Sequence, residues 1–566
     1  MTVSASTTRS YSLLAAVLMA LLAVSAIASR PLLPVDETRY LGVAWEMHHT
    51  GDWLVPHRNG EPYSEKPPLL FWLINAVWMV TGVSEYPARM ISPLAAIGCV
   101  LLTGRISRQL WPDSAETIRS APLIHVSLFL WMFFSPLTMF DMLLTLLTLA
   151  AISCWIRSAF GKPRAWLTAG ALMGLGILTK GPVILVHVLP AVLFAPWWQK
   201  SLRSGLAAWY GKIAGAILVA AAIGLAWAVP AALQGGPEFA DRLLIRQTTD
   251  RVTNSFSHQQ PWWWYAPILP ACLLPWISVT RFWKNLRFIH RDRGCRFVLT
   301  WLAGTLVILS AVSGKQAYYL LPCLPAFALL AGRLLTTIPG DRPPELRPHD
   351  TAFLRYGGIV PAILPLVFNH VALFRDLRLA GLCPDWASIP LLAVALVLCH
   401  KRWHTTRTDI AAAIREISIV NVLFTCVLVI TLRDGLWNGF RMDELAHWVH
   451  DRQEEDRSIL WLTSYHDQLH FAGRLRHPLP DAVTLEDASE WLQRHPNSIM
   501  LMRFPQTAIP ANFSTPVTDA QMTELTEILN QLPESHPLPP GTFRVVHASP
   551  VRRGLRKALM VAIETE

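Results

Sequence analysis

Charge is what this sequence has least of. Only 16% of its 566 residues are Asp, Glu, Lys or Arg, against 52% hydrophobic. A soluble chain of this length needs far more polar surface to cover its core, so the composition excludes a soluble enzyme and predicts a polytopic membrane protein. Cysteine is almost as uninformative: there are eight, none beyond Cys426 and none in a Cys-x-x-Cys pair. Neither a disulfide framework nor a cysteine-based zinc site is supported, and these read as ordinary buried thiols. A basic patch is also missing. The net charge is +10, but the Lys and Arg residues fall in short clusters between apolar runs, which argues against a nucleic-acid partner.

What is present is a series of apolar runs, each about 20 residues or somewhat shorter. They lie roughly at 11–29, 88–110, 120–136, 138–156, 165–179, 182–198, 206–232, 262–282, 297–313, 317–337, 355–374, 386–400 and 412–432. These predict about 13 transmembrane helices. The stretch 68–82 is ambiguous by hydropathy, and charge decides it. If it lies on the interface, alternate loops collect 24 of the 36 basic residues in 1–432 against 8 acidic ones. The other side then holds 12 basic and 13 acidic residues. Letting 68–82 cross breaks that alternation for every later loop. The positive-inside rule therefore places the N-terminus in the cytoplasm and loops 30–87 and 234–260 outside, with the tail. Ala26-Ile-Ala28 fits a signal-peptidase site, but the charged loop follows within a few residues, so the first span reads as a retained anchor.

Residues 433–566 change character, with 13 basic and 18 acidic residues. Helix-like segments (443–452, 487–495, 519–532) alternate with β-like runs (458–463, 498–503, 542–547, 560–564) and predict a small α/β domain. No phosphate loop or metal motif is found there, and a cap or acceptor-guiding role is expected. The expected domains are thus a transmembrane region, 1–432, and a soluble outer domain, 433–566.

The unusual charges sit on the outer side of this threading. Asp36, Glu37 and Arg39 follow the first span, and Glu65-Lys66 end the first loop. Asp141 and Lys180 fall at two outer turns. His258 precedes Pro-Trp-Trp-Trp-Tyr265 in a loop that also carries Arg246 and Arg251, and Lys315 shares its turn with Tyr318 and Tyr319. Each has a plain alternative: a helix N-cap for Asp141, snorkelling anchors for Lys180 and Lys315, an aromatic belt for the Trp run, a helix start for Pro67-Pro68. Convergence is harder to explain that way. Charges held at the water–lipid boundary are costly unless paired or used.

Group transfer from a phosphate-linked lipid suits this set. Lys66, Arg251, Lys315 and Tyr319 supply cations and a hydroxyl for the phosphate, which stabilise it as leaving group. Asp36, supported by Asp141, can take a proton from an acceptor hydroxyl or organise the site electrostatically. Glu65 with His258 is an incomplete divalent-metal site, for zinc or for magnesium or manganese, because two ligands are fewer than zinc normally takes. The competing classes are a lipid or sugar transporter (flippase) and a non-catalytic scaffold. The first expects charged groups at midspan and a repeated half, and neither is seen. The second leaves the outer charges unexplained.

The order Pro34-Val-Asp36-Glu37-Thr-Arg39-Tyr40, Gly51-Asp-Trp-Leu-Val-Pro56, Glu65-Lys66-Pro-Pro68 and Leu178-Thr-Lys180-Gly-Pro182 resembles the bacterial aminoarabinose transferase family. That family groups with protein O-mannosyltransferases in the multi-spanning GT-C class. His258…Pro261-Trp-Trp and Gly314-Lys315-Gln-Ala-Tyr-Tyr319 are similar to its later motifs, so the likeness runs from about residue 30 to about 335. It implies a GT-C-like polytopic α-helical fold with interfacial helices in the first outer loop. It also implies inverting transfer of a sugar from undecaprenyl phosphate at the periplasmic face of the bacterial inner membrane. The acceptor would be lipid A, another glycan or a protein. Asp36 would be the principal catalytic carboxylate, with Asp141 and Glu37 beside it. Lys66, Arg251, Lys315 and Tyr319 would contact the lipid phosphate, and Arg39 and Lys180 would line the cavity. Glu65 and His258 would be the metal ligands.

Overall fold

The computed structural model describes residues 5–246, 259–337, 346–351, 359–370, 384–399, 407–505, 518–530, 543–553 and 556–565. The chain forms two compact units. The first comprises Met1–Ala28, Tyr63–Leu364 and Trp386–Ile430; the second comprises Ser29–Pro62, Pro365–Asp385 and Thr431–Glu566. The sheet domain of the tail thus forms one unit with the first half of the first outer loop.

The helices of the chain begin with α1 (Ala5–Ser29), α2 (Asp36–Thr50), α3 (Leu69–Thr81), α4 (Glu85–Leu110), α5 (Ala115–Val126), α6 (Phe129–Phe134), α7 (Phe140–Ala159), α8 (Ala165–Lys180) and α9 (Val183–Leu193). Among the described residues seven helices are long and apolar enough to cross a membrane. Every one of the expected spans contains at least one helix, several of them short apolar pieces such as α8 and α9. On the long helix Leu206–Asp241, Leu218, Leu225 and Leu233 are exposed. Such a face is what lipid, not water, covers. The ambiguous stretch is α3, 13 residues and therefore about 20 Å long.

Close helix contact depends on small residues. Gly170 and Gly174, one turn apart on α8, face Leu206–Asp241. A Cβ built on Gly170 would come within 2.8 Å of the Ala216 carbonyl oxygen, and one on Gly174 within 2.7 Å of Ile223 Cβ. Where no hydrophobic effect drives association, this intimacy supplies the dispersion that holds helices together. The start of α7 is gripped from α4: Ser92 Oγ donates to the Met139 carbonyl and accepts from the Met139 amide, both at 3.1 Å. The first device holds the middle of α8 against the long helix, and the second fixes the N-terminal end of α7.

The second unit contains a five-stranded mixed sheet in the order β4-β3-β5-β7-β6. The strands are β3 (Ile459–Leu462), β4 (Asp481–Ala482), β5 (Ile499–Pro505), β6 (Phe543–Arg553) and β7 (Arg556–Thr565). β4 and β5 run parallel to β3, whereas β7 is antiparallel to both β5 and β6. Strict alternation builds two cores. Ile459, Trp461, Ile499, Leu501, Met560 and Ala562 face one layer; Leu460, Leu462, Met500, Met502, Val561 and Ile563 face the other. Helices Asp443–Glu454, Leu485–Arg494 and Asp519–Asn530 lie close to the segments expected.

Residues 29–62 join this unit through specific bonds. Trp45 Nε1 on α2 donates to the Leu475 carbonyl at 2.8 Å. The helix ends at Gly51, whose φ of 73° suits a left-handed cap. A small hairpin, β1 (His57–Arg58) and β2 (Glu61–Pro62), turns at Asn59-Gly60, both with positive φ. Asn-Gly is the favoured sequence for such a turn. Asn59 then exchanges two hydrogen bonds with Leu479, Nδ2 to the carbonyl at 3.0 Å and Oδ1 from the amide at 2.7 Å.

Candidate active site

Within the first unit, three chain segments bring predicted site residues together. Asp141 lies in the first turn of α7, where the helix dipole favours a carboxylate, and Lys180 is the last residue of the neighbouring α8. Lys180 Nζ donates to Asp141 Oδ1 at 2.6 Å, and both side chains are buried. The ammonium also lies 5.0 Å from the ring centroids of both Tyr318 and Tyr319. Those tyrosines begin the 3-10 turn Ala317–Cys323 and meet edge to face. Asp141 does not cap its helix: Met139 is the N-cap residue, and the carboxylate is used in the ion pair. A buried, paired cation under two aromatic faces is a polarised, water-poor corner, where electrostatics act strongly.

Lys315 stands at the same turn. It is 3% exposed, and its Nζ donates to the carbonyls of Gln260 (2.9 Å) and Val312. The backbone of Gln259 bridges Gly314, and the Tyr265 hydroxyl donates to the Gln316 carbonyl at 3.3 Å. The Trp-rich run and the Gly314-Lys315 turn, distant in sequence, are therefore laced together. Snorkelling does not describe a lysine so enclosed.

Glu65 is exposed and Lys66 half-buried; the Tyr63 hydroxyl donates to Glu65 at 3.4 Å, and Lys66 Nζ approaches the Glu65 carbonyl at 3.4 Å. An aromatic chain ties this segment to α7: Tyr63 contacts Phe71 and Phe71 contacts Phe140, the residue before Asp141. Arg251 and His258 lie outside the described residues. Among the described residues no group of three or more His, Cys, Asp and Glu is arranged to hold a metal ion, so Glu65 has no complete donor set around it there.

Asp36, Glu37 and Arg39 belong to the second unit, in the first turns of α2. Asp36 is half-buried and accepts from the Tyr40 hydroxyl at 3.1 Å, one helical turn on. Glu37 is 1% exposed; it forms an ion pair with Arg30 and accepts the Leu33 amide at 3.0 Å. Adjacent carboxylates thus have different environments, one buried in an ion pair and one half-buried against the Tyr40 hydroxyl. Arg30 and Tyr40 received no role from sequence; the Arg30–Glu37 spacing gives no helical signal because residues 30–33 are not helical.

Comparison with known proteins agrees with this architecture. The protein superposes on ArnT from Cupriavidus metallidurans, crystallised bound to undecaprenyl phosphate, with a TM-score of 0.70 at 18% identity, over 97% of both chains. The class is therefore a multi-pass integral membrane protein with the ArnT fold. A family profile described as dolichyl-phosphate-mannose-protein mannosyltransferase matches residues 65–227. An undecaprenyl phosphate-α-4-amino-4-deoxy-L-arabinose arabinosyl transferase of Pseudomonas savastanoi pv. phaseolicola is 31% identical over 396 residues, 68% of this chain and 69% of the relative. A Pseudomonas fluorescens relative of the same description is 31% identical over 345 residues, and there the chain spans 59% of the relative's length. The protein belongs to the undecaprenyl phosphate-aminoarabinose arabinosyl transferase family.

Proposed function

We propose that this protein is an inverting glycosyltransferase that moves a sugar, 4-amino-4-deoxy-L-arabinose in our reading, from undecaprenyl phosphate to a periplasmic acceptor that is lipid A, another glycan or a protein. The observation that carries the reading is the buried Lys180–Asp141 pair beneath Tyr318 and Tyr319 at the ends of apolar helices. Family membership and the undecaprenyl phosphate bound by the Cupriavidus ArnT support it.

In this reading the acceptor oxygen attacks the anomeric carbon, the bond from that carbon to the phosphate oxygen breaks, and undecaprenyl phosphate leaves with the electron pair. Lys66 and Lys315, with Arg251, neutralise the departing phosphate, and the Tyr319 hydroxyl donates a hydrogen bond to it. Lys180 holds Asp141 and the two tyrosines in register, and Lys180 and Arg39 line the cavity. Asp36 accepts the proton of a hydroxyl acceptor; for an acceptor phosphate, already anionic, it orients the reactants instead. Glu37, bound to Arg30, braces the turn that carries Asp36. Glu65 and His258 remain the proposed ligands for a divalent ion, which would supply further positive charge at the phosphate; each step above uses the chain's own groups.

The active site and the 433–566 domain face the periplasm, as the charge alternation of the loops requires. A transporter would place its ionisable groups near the bilayer midplane; Asp141 and Lys180 are at helix ends. The test is Asp36→Asn in purified enzyme with radiolabelled undecaprenyl-phosphate sugar. Transfer is expected to vanish while folding is retained, and full turnover would refute the assignment. Mass spectrometry of lipid A, glycans and envelope proteins from a deletion strain identifies the acceptor.

A further inference from the structure

The second unit contains a charged cluster that the transfer reading does not use. It is centred on Asp467, which precedes the short helix His470–Gly473. Asp467 is 1% exposed, and neither carboxylate oxygen has a hydrogen-bonding partner among the described residues. Its backbone is left-handed, with φ 59°, a conformation that Asp tolerates better than most residues. The side chain lies directly on α2: a Cβ built on Gly42 would meet Asp467 Cβ at 3.1 Å and Oδ2 at 3.4 Å. Only glycine at position 42 allows this approach without displacement. Arg39, Gly42 and Glu46 share that face of the helix, and Asp36 lies at its start.

We propose that Asp467 is a positioning residue for transfer: from the C-terminal domain it seats α2, and with it Asp36, in the working position. This rests on the catalytic reading of Asp36.

An ionised carboxylate buried against a helix backbone is unfavourable, whereas a neutral acid is tolerated. Burial pushes the Asp467 carboxyl up to about 7; the Glu46 carboxylate adds to the rise, and Arg58 and Arg39 oppose it. Glu46 is itself raised, by burial, although the Gly60 amide donates to it at 2.7 Å and His57 and Arg58 face it. From the other side, Tyr465 donates to or accepts from His470 Nδ1 at 2.8 Å, and its hydroxyl is held far above its usual range by burial. His470 is lowered to about 3 by burial with His49 beside it, and His49 is also lowered by burial. These imidazoles stay neutral at physiological pH and cannot compensate an Asp467 charge. His466 adjoins the group in sequence. A carboxyl whose folded-state pKa is raised favours the seated state below its pKa and loses that advantage as pH rises toward it. The advantage is full only below the ordinary carboxyl range, about pH 4, and is lost progressively as pH rises through about 7, so seating is weaker at pH 8 than at pH 6.

The experiment measures kcat, donor affinity and hydrogen exchange of residues 36–50 at pH 6 and pH 8, in full-length wild type, Asp467→Asn and Gly42→Val. Wild-type kcat is expected to fall about fivefold to tenfold between these pH values, as one ionisation near 7 requires. Exchange protection of α2 should fall with it, beyond the intrinsic pH effect. Asp467→Asn, which mimics the neutral acid, should keep kcat within about twofold at pH 6 and flatten both losses. Gly42→Val should lower kcat at both pH values and leave the affinity for undecaprenyl phosphate unchanged. The proposal is overturned if wild-type α2 protection is indifferent to pH, if Asp467→Asn keeps the wild-type alkaline loss, or if it inactivates at pH 6. Should Asp36→Asn retain turnover, the catalytic reading fails alone, because the exchange arm still judges the clamp.

Discussion

Removing Lys180 should reveal how much the Lys180–Asp141 pair contributes. Lys180→Met keeps the length of the side chain and strips the cation from a carboxylate whose side chain is only 3% exposed. Breaking a buried pair from one side costs up to about 3–5 kcal/mol, since the remaining charge loses a close counter-charge in a poor solvent. Protonation sets a ceiling. Neutralising a carboxyl of ordinary pKa near 3.9 at pH 7 takes about 3 units, at about 1.4 kcal/mol each, so the loss should not exceed about 4 kcal/mol. Replacing both partners, Lys180→Met with Asp141→Leu, removes the buried carboxylate as well and should recover much of the stability. Unfolding in detergent, followed by tryptophan fluorescence across a double-mutant cycle, gives the coupling. A value of about 2 kcal/mol or more is expected. Coupling below about 0.5 kcal/mol refutes the argument, as does a double variant less stable than the single one. Transfer should stay low in the double variant even where stability returns, because Lys180 is proposed to line the cavity.

Lys66→Ala should weaken binding of undecaprenyl phosphate roughly tenfold or more, the scale of one charge-assisted hydrogen bond, by calorimetric titration; equal affinity counts against its phosphate role. Gly174→Val should force α8 off Ile223 and destabilise the first unit by about 1–3 kcal/mol, read as a lower detergent melting temperature. Gly60→Val combines a positive φ with contact against Pro478 Cγ at 2.9 Å, and should loosen residues 57–62 in hydrogen exchange with little change in the sheet. A reporter fused after residue 433 should be active on the periplasmic side; cytoplasmic activity there overturns the orientation.

Sequence alone was enough for the class, for the presence of apolar helices and for the helices and strands of the tail, because each depends on local patterns. An apolar run long enough to span is legible without knowing its neighbours, and so is period-two alternation in strands such as 459–462 and 499–505. It also named the residues of the polarised corner, since charge beside apolar runs is rare. Two further features have local sequence signals, Asn59-Gly60 as a hairpin turn and Gly170-x-x-x-Gly174 as a close-packing face.

Other features required the tertiary structure. That Asp141 faces Lys180 and not an N-cap amide depends on α7 and α8 packing side by side, with the start of α7 beside the end of α8, which no spacing between residues 141 and 180 encodes. That Lys315 is bound to backbone carbonyls depends on where residues 259–265 return. The clearest case is the first outer loop. Its charges read as one set along the chain, yet residues 29–62 pack with the C-terminal sheet while Glu65 and Lys66 belong to the helical unit. Hydropathy describes how each segment partitions between water and lipid; which segments then share a core depends on shape and on bonds between residues more than 400 positions apart, such as Trp45 to Leu475.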